Sequence, residues 1–219
     1  MKKLPQILCL CSVLFLTSCD YIIPSTWNYR ITVEIETPEG IKTGSAVRQV
    51  RAWKNVAQWL NPDVRRISYD VIGEAVVVDL EERGVVFALI DWDSYKEMFS
   101  AFPISANTWK ERLMYFNNLE VGTKAELNQD LPRFVTFDNF DDSMSIRGVD
   151  RNKMNEIFDK GVSFKSVSVE ITDDSVAFGE VDNWLPPSFS SVVIDGWHQL
   201  KQKDKHRMYG LVKFKRGSK

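Results

Sequence analysis

The chain has 219 residues, with 28 basic and 30 acidic side chains, 12% aromatic content and three cysteines. This composition excludes a disulfide scaffold, a zinc-ribbon protein and a disordered tail, and it describes a chain able to bury a core.

The first element is a secretory signal. Lys2 and Lys3 supply a cationic start, residues 7–16 form an apolar run broken only by Ser12 and two cysteines, and Leu16-Thr17-Ser18-Cys19 follows. The run is too short to span about 30 Å of hydrocarbon, which takes roughly twenty apolar residues. Its small C-terminal residues fit a cleavage site. Leu16-Thr17-Ser18-Cys19 resembles the lipobox of bacterial lipoproteins. The resemblance implies that Cys19 receives a diacylglyceryl group, that residues 1–18 are removed, and that Cys19 becomes the acylated first residue, with fatty acids of the palmitate class. Cys9 and Cys11 leave with the signal, so Cys19 is the only mature thiol and no internal disulfide forms. Each buried methylene is worth about 0.8 kcal/mol, and two or three chains on one residue make a durable anchor where one alone is marginal. In enteric lipoproteins Asp after the cysteine goes with inner-membrane retention, and Asp20 stands there. The resemblance thus implies a periplasm-facing, lipid-anchored protein of the cell envelope, with the inner membrane favoured. Residues 19–28 read as acylated N-terminus and tether, with Pro24-Ser25-Thr26 as linker, and 29–219 as one globular domain.

Within the domain, residues 29–36 alternate apolar and polar, which places Tyr29, Ile31, Val33 and Ile35 on one face of a strand. Thr37-Pro38-Glu39-Gly40 is a turn, and an extended run over 42–53 completes a hairpin. Residues 56–66, stopped by Asn61-Pro62-Asp63, read as loop. Residues 73–80 and 85–90 form a second hairpin around Glu81-Glu82-Arg83-Gly84, with a strand apolar enough to be covered on both faces. Two helices follow. Ser94 and Glu97 make a capping box for a stripe of Tyr95, Met98, Phe99 and Phe102 that ends at Pro103. Thr108 and Glu111 cap the next, with Trp109, Leu113 and Phe116 inward and Lys110, Glu111 and Asn117 outward. Both stripes read as core contacts rather than cofactor boxes, and no cofactor is implied. A strand over 133–138, a short helix capped by Asp150 with Met154, Ile157 and Phe158 inward and Gly161 at C′, and a strand over 162–172 follow. The chain beyond is irregular, with extended runs near Val192 and Gly210.

Hairpins around a pair of helices, without β-α-β alternation, predict an α+β fold of mainly antiparallel sheet with short amphipathic helices packed on it. The segments 37–47, 73–80 and 170–174 (Glu170-Ile171-Thr172-Asp173-Asp174) together resemble a family of uncharacterised bacterial proteins. That resemblance implies the domain and carries no activity.

The chemistry-bearing residues are sparse. There is no Gly-x-Ser-x-Gly, and no mature thiol besides Cys19. His198 and His206 lie in the basic C-terminal end and read as surface residues; no metal site is predicted, because zinc needs three or four placed ligands. Two carboxylate groups carry the weak candidates: Asp91 and Asp93 around Trp92, and Asp138, Asp141 and Asp142 in one loop. The first pair is explained by a helix N-terminus stabilising nearby anions, and the second lacks the glycine and distal glutamate of an EF-hand. From His198 onward eight basic residues meet one acid, Asp204, while the mature chain as a whole carries 26 basic and 30 acidic residues. The basic end reads as a lysine-guarded strand edge with Leu211, Val212 and Phe214 inward, ahead of a patch for acidic partners. Export and the acidic balance exclude nucleic acid. The expectation is a non-enzymatic binding or envelope-organising protein with an envelope protein as partner; the alternatives are a carboxylate-dependent envelope hydrolase and a carrier of a small apolar ligand between sheet and helices.

Overall fold

The computed structural model describes residues 24–55, 67–91, 93–142, 145–186 and 214–216. Cys19 with its lipobox, the 56–66 loop, the runs near Val192 and Gly210, His198, His206 and most of the basic end lie outside the described residues. The fold is α+β, and every described strand pair is antiparallel.

The first hairpin joins β1 (Ser25–Thr37) to β2 (Gly40–Lys54) through Pro38 and Glu39, with Thr37 opposite Gly40. Strict alternation buries Tyr29, Ile31, Val33 and Ile35 completely, as predicted. The strand starts four residues earlier than the tether boundary allows. Ser25 to Asn28 pair with Ala52 to Gln49, and Ser25 Oγ donates to the Leu113 carbonyl at 2.5 Å, so this stretch is strand and not linker.

The run at 73–80 is divided between two sheets. β3 (Ile67–Glu74) pairs with β2, and β4 (Val76–Asp79) pairs with β5 (Val85–Ala88). Ala75 is the break, its N–H donating to the Phe214 carbonyl at 2.7 Å. Two further hydrophobic-poor strands escape sequence patterning, β6 (Lys124–Glu126) and β8 (Ile146–Val149). With β7 (Phe134–Phe137), β9 (Ser163–Thr172) and β10 (Lys215–Arg216), the described strands form a six-stranded sheet ordered β10-β3-β2-β1-β9-β6 and a four-stranded sheet ordered β4-β5-β7-β8.

The sheets stack over a shared core. Ile31, Val33, Val50, Val167 and Val169 of the larger sheet face Val76, Val78, Val86 and Ala88 of the smaller one. The other face of the smaller sheet is also covered: Phe87, Val135 and Phe137 pack under Val181, Leu185 and Phe214. That double covering is why β5 is buried at every position. The buried Glu74 carboxylate pins the cover, accepting from the Gly179 and Glu180 N–H groups at 3.0 and 3.1 Å.

Helices α1 (Tyr95–Ala101) and α2 (Trp109–Tyr115) close the end of the core near Ser25, and α3 (Met154–Ile157) closes another side. The capping box of α2 is complete: Thr108 Oγ1 accepts from Glu111 N–H while the Glu111 carboxylate accepts from Thr108 N–H. That of α1 does not form. Ser94 Oγ accepts from Asp91 N–H instead, and Glu97 is drawn into the core. After α3 the C′ position falls on Asp159, at φ 77°, and Gly161, at φ 89°, is a second left-handed residue two positions on. Gly161 has its own reason: a Cβ there would lie 2.7 Å from Pro38 Cγ. Among the described residues no helix is long and apolar enough to cross a membrane.

Candidate functional site

Asp91 and Asp93 lie in the link between β5 and α1, and the structure does bring them together. With Asp130, Lys96 and Arg133 they line a pocket of about 110 Å³. Each carboxylate already has a partner: Asp91 pairs with Arg133 at 2.9 Å, Asp93 with Lys96 at 2.9 Å, and Asp130 accepts from Ser100 Oγ. A general acid needs a carboxyl held protonated, which takes apolar enclosure away from cations. Both predicted carboxyls have a cation within hydrogen-bond distance, and among the described residues no aromatic side chain lines the pocket.

Asp138, Asp141 and Asp142 do not converge on a cation. Asp138 pairs with Arg147 at 2.7 Å, while Asn139 and Ser145 build the loop: Asn139 Oδ1 accepts from Asp141 N–H, and Ser145 Oγ accepts from Asn139 N–H. Among the described residues no three His, Cys, Asp or Glu side chains are grouped to hold a metal.

The sequence reading misses the most heavily constrained polar cluster. Arg48 sits on the inward face of β2 with no exposure; its Nη1 donates to both Glu97 carboxylate oxygens at 2.7 and 2.9 Å, and its Nη2 to the Ala88 and Leu89 carbonyls, each at 3.3 Å. Tyr29 OH donates to Glu97 Oε2 at 2.8 Å. Burial raises the Tyr29 hydroxyl well above its ordinary pKa, and Glu97 adds to that. Burial alone would lower the Arg48 pKa, but Glu97 and Tyr29 override it and the guanidinium stays charged. Burial likewise outweighs the hydrogen bonds at Glu97 and raises its carboxyl. The cluster joins β1, β2, the end of β5 and α1 as a buried tie, with Glu97 at the floor of the Asp91 pocket. A signal for it existed: Gly44, Ala46, Arg48, Val50 and Ala52 share one face of β2, and only one of them is charged.

A wide opening lies beside β7 and β8. It is an open groove of about 870 Å³ lined by Leu89, Leu131, Pro132, Phe134, Val135, Ile146 and Val149 together with Arg133, Arg147, Asp150 and Arg151. β8 is the outer strand of its sheet among the described residues. The groove shares Leu89, Leu131, Pro132 and Arg133 with the Asp91 pocket, so the same short segment borders both. Nothing in β8 marks it as a strand in the sequence, so the groove is a product of tertiary assembly. Comparison with known proteins returns no match, whether to a family model, a curated protein or a solved structure.

Proposed function

We propose that this chain is a lipid-anchored protein of the bacterial cell envelope, facing the periplasm, whose domain binds another envelope protein rather than catalysing a reaction. The observation that carries the binding reading is the cleft beside β8. An extended segment can add backbone hydrogen bonds to an outer strand and set alternate side chains into an apolar groove, and an acidic residue on that segment would meet Arg147 in exchange for its present partner Asp138. The lipobox Leu16-Thr17-Ser18-Cys19 supports the anchor, which raises the local concentration of the domain at the membrane. The carrier alternative needs a cavity between sheet and helices, and Trp27, Met98, Phe102, Leu113 and Phe116 occupy that space.

The test is in-cell photocrosslinking from position 148, where Gly148 has open space around it, in the full chain and in its Cys19→Ala variant. A defined partner trapped by the acylated chain and lost with Arg147→Glu supports the reading; reproducible failure to trap any protein, with the chain present in the membrane fraction, sinks it. A hydrolase remains as second reading because Asp91, Asp93 and Asp130 line one pocket. It requires a hydrolytic activity on envelope polymers that Asp91→Asn and Asp93→Asn each abolish.

A further inference from the structure

We infer that the end of the domain around Ser25 is a membrane-docking surface for anionic phospholipid headgroups, an inference that rests on the lipid-anchor reading above. Its first support is length. Five residues separate Cys19 from Ser25, and at 3.3–3.6 Å per residue a fully extended chain of that size reaches about 20 Å. Ser25 begins a strand whose side chain is fixed to α2, by the bond to the Leu113 carbonyl and by Asn117 Nδ2 donating to Ser25 Oγ at 2.9 Å. The tether therefore cannot lengthen by unzipping without breaking those contacts. Whatever the tilt of the domain, this end stays within about 20 Å of the headgroups. The Pro38–Glu39 turn at the far end of the 13-residue β1 is about 40 Å further along the strand, and no such restraint holds it there.

The second support is what this end displays. Trp53, the residue next to the Ser25 partner Ala52, is 36% exposed, and Met114 on α2 is 43% exposed. Met114, Tyr115 and Leu119 line an open hollow of about 520 Å³ on this helix, which Lys110 and Glu111 border. Lys54, whose ammonium lies 4.9 Å from the Trp109 ring centre, and Arg112 add cationic side chains to the same end. The one acid of α2, Glu111, is turned back onto the Asn107 and Thr108 N–H groups by its capping role. Tryptophan and other amphipathic apolar groups settle at the headgroup level, and each nearby Lys or Arg is drawn to an anionic leaflet. The exposed Trp53 and Met114 lie outside the main core cluster, and the anchor brings them and the cations to the bilayer.

The experiment uses the full, acylated chain reconstituted in vesicles of phosphatidylethanolamine and phosphatidylglycerol that contain a spin-labelled lipid. Because Cys19 is blocked by its thioether, Met114→Cys and Ile41→Cys can each be labelled singly with a fluorophore, Ile41 being 52% exposed at the far end. Quenching several-fold stronger at position 114 than at 41, and reduced by Lys110→Glu with Arg112→Glu or by high salt, is the expected result. Equal quenching at both positions, or none at either, overturns the docking surface while acylation stands. Intact mass of the mature N-terminus separates the two readings: a Cys19 without its diacylglyceryl group overturns the anchor, and the docking surface with it. Position 114 unquenched on vesicles but crosslinked to a protein in cells assigns this face to a protein partner and also overturns the inference.

Discussion

Arg48 is a guanidinium with no access to water, held at the centre of the fold because Glu97 and Tyr29 reach it from two other elements. Removing an ion from water costs several kcal/mol even after relaxation, and a bidentate carboxylate is what offsets it. Arg48 Nε makes no hydrogen bond, so the compensation is incomplete. Glu97→Ala should therefore cost about 3–5 kcal/mol, because it strands the charge, whereas Arg48→Met with Glu97→Leu should cost less than the single change. Urea unfolding of the two variants beside the parent measures this, and a double variant less stable than Glu97→Ala would refute the account. A second residue sets behaviour at high pH. Tyr69 stacks on Tyr95 with ring centres 4.4 Å apart, and burial, with Tyr95 adding to it, raises its hydroxyl to about 12. A pKa raised on folding means that the native state holds a proton the unfolded chain has lost, so stability is whole below pH 10 and falls as pH climbs from about 10 to 12. Tyr29 acts in the same sense. Tyr69→Phe should flatten the fall in Tm between pH 10 and 12; an unchanged slope would remove Tyr69 from the explanation.

At the level of elements, the same local signal succeeded once and failed once. Thr108 and Glu111 make their capping box because α2 lies at the surface and nothing competes for the glutamate. Ser94 and Glu97 have the same spacing, yet Glu97 turns inward, since Arg48 offers a charge-assisted bidentate bond against a single N–H. Contact between the sheets depends on a missing side chain. A Cβ on Gly44 of β2 would stand 1.9 Å from the Val77 carbonyl oxygen of β4, whereas one on Gly148 of β8 meets nothing within 4 Å. Gly44→Ala must push β4 away, and overpacking of this kind costs about 1–3 kcal/mol. Gly148→Ala should leave Tm nearly unchanged. Thermal melts of the pair check the contrast, and a Gly44→Ala protein as stable as the parent would show that the sheets can separate freely.

Across the whole molecule, residues far apart in the chain finish both sheets. β10 pairs with β3, while Phe214 beside it inserts between Phe87 and Phe137 on the outer face of the smaller sheet, with ring centres 5.1 and 5.9 Å away. The described part of the basic end is thus strand with Phe214 inward, and Lys215 pairs with Asp182 of the covering segment. Phe214→Ala should cost about 3–5 kcal/mol, the usual loss for an aromatic ring taken from a core. It should also expose the second core, read as increased binding of a hydrophobic dye below the melting transition. Loss of stability without dye binding would mean that the cover collapses onto the gap.

Local chemistry made much of this readable in advance. Alternation in 29–36, the Pro-Glu turn, the Thr108 cap and the apolar strand at 85–88 depend on neighbours in the chain, and the α+β antiparallel class follows from their order. Leu16-Thr17-Ser18-Cys19 is likewise a linear motif, and its resemblance to a lipobox, with the nearness of Ser25 to Cys19, is the starting point of the anchored orientation proposed above. What only the tertiary structure decided are features set by distant partners: the division of 73–80 at Ala75, the pairing of short β6 and β8, the burial of Arg48 and Glu97, and the cleft beside β8. Asp91 and Asp93 show the limit most directly. Their proximity could be read from two positions in a loop, but the cations that neutralise them differ in origin: Lys96 is three residues from Asp93, and Arg133 comes to Asp91 from 42 residues away. A local pattern encodes a backbone preference, whereas the chemistry of a site depends on which long-range charges and surfaces the sheets bring to it.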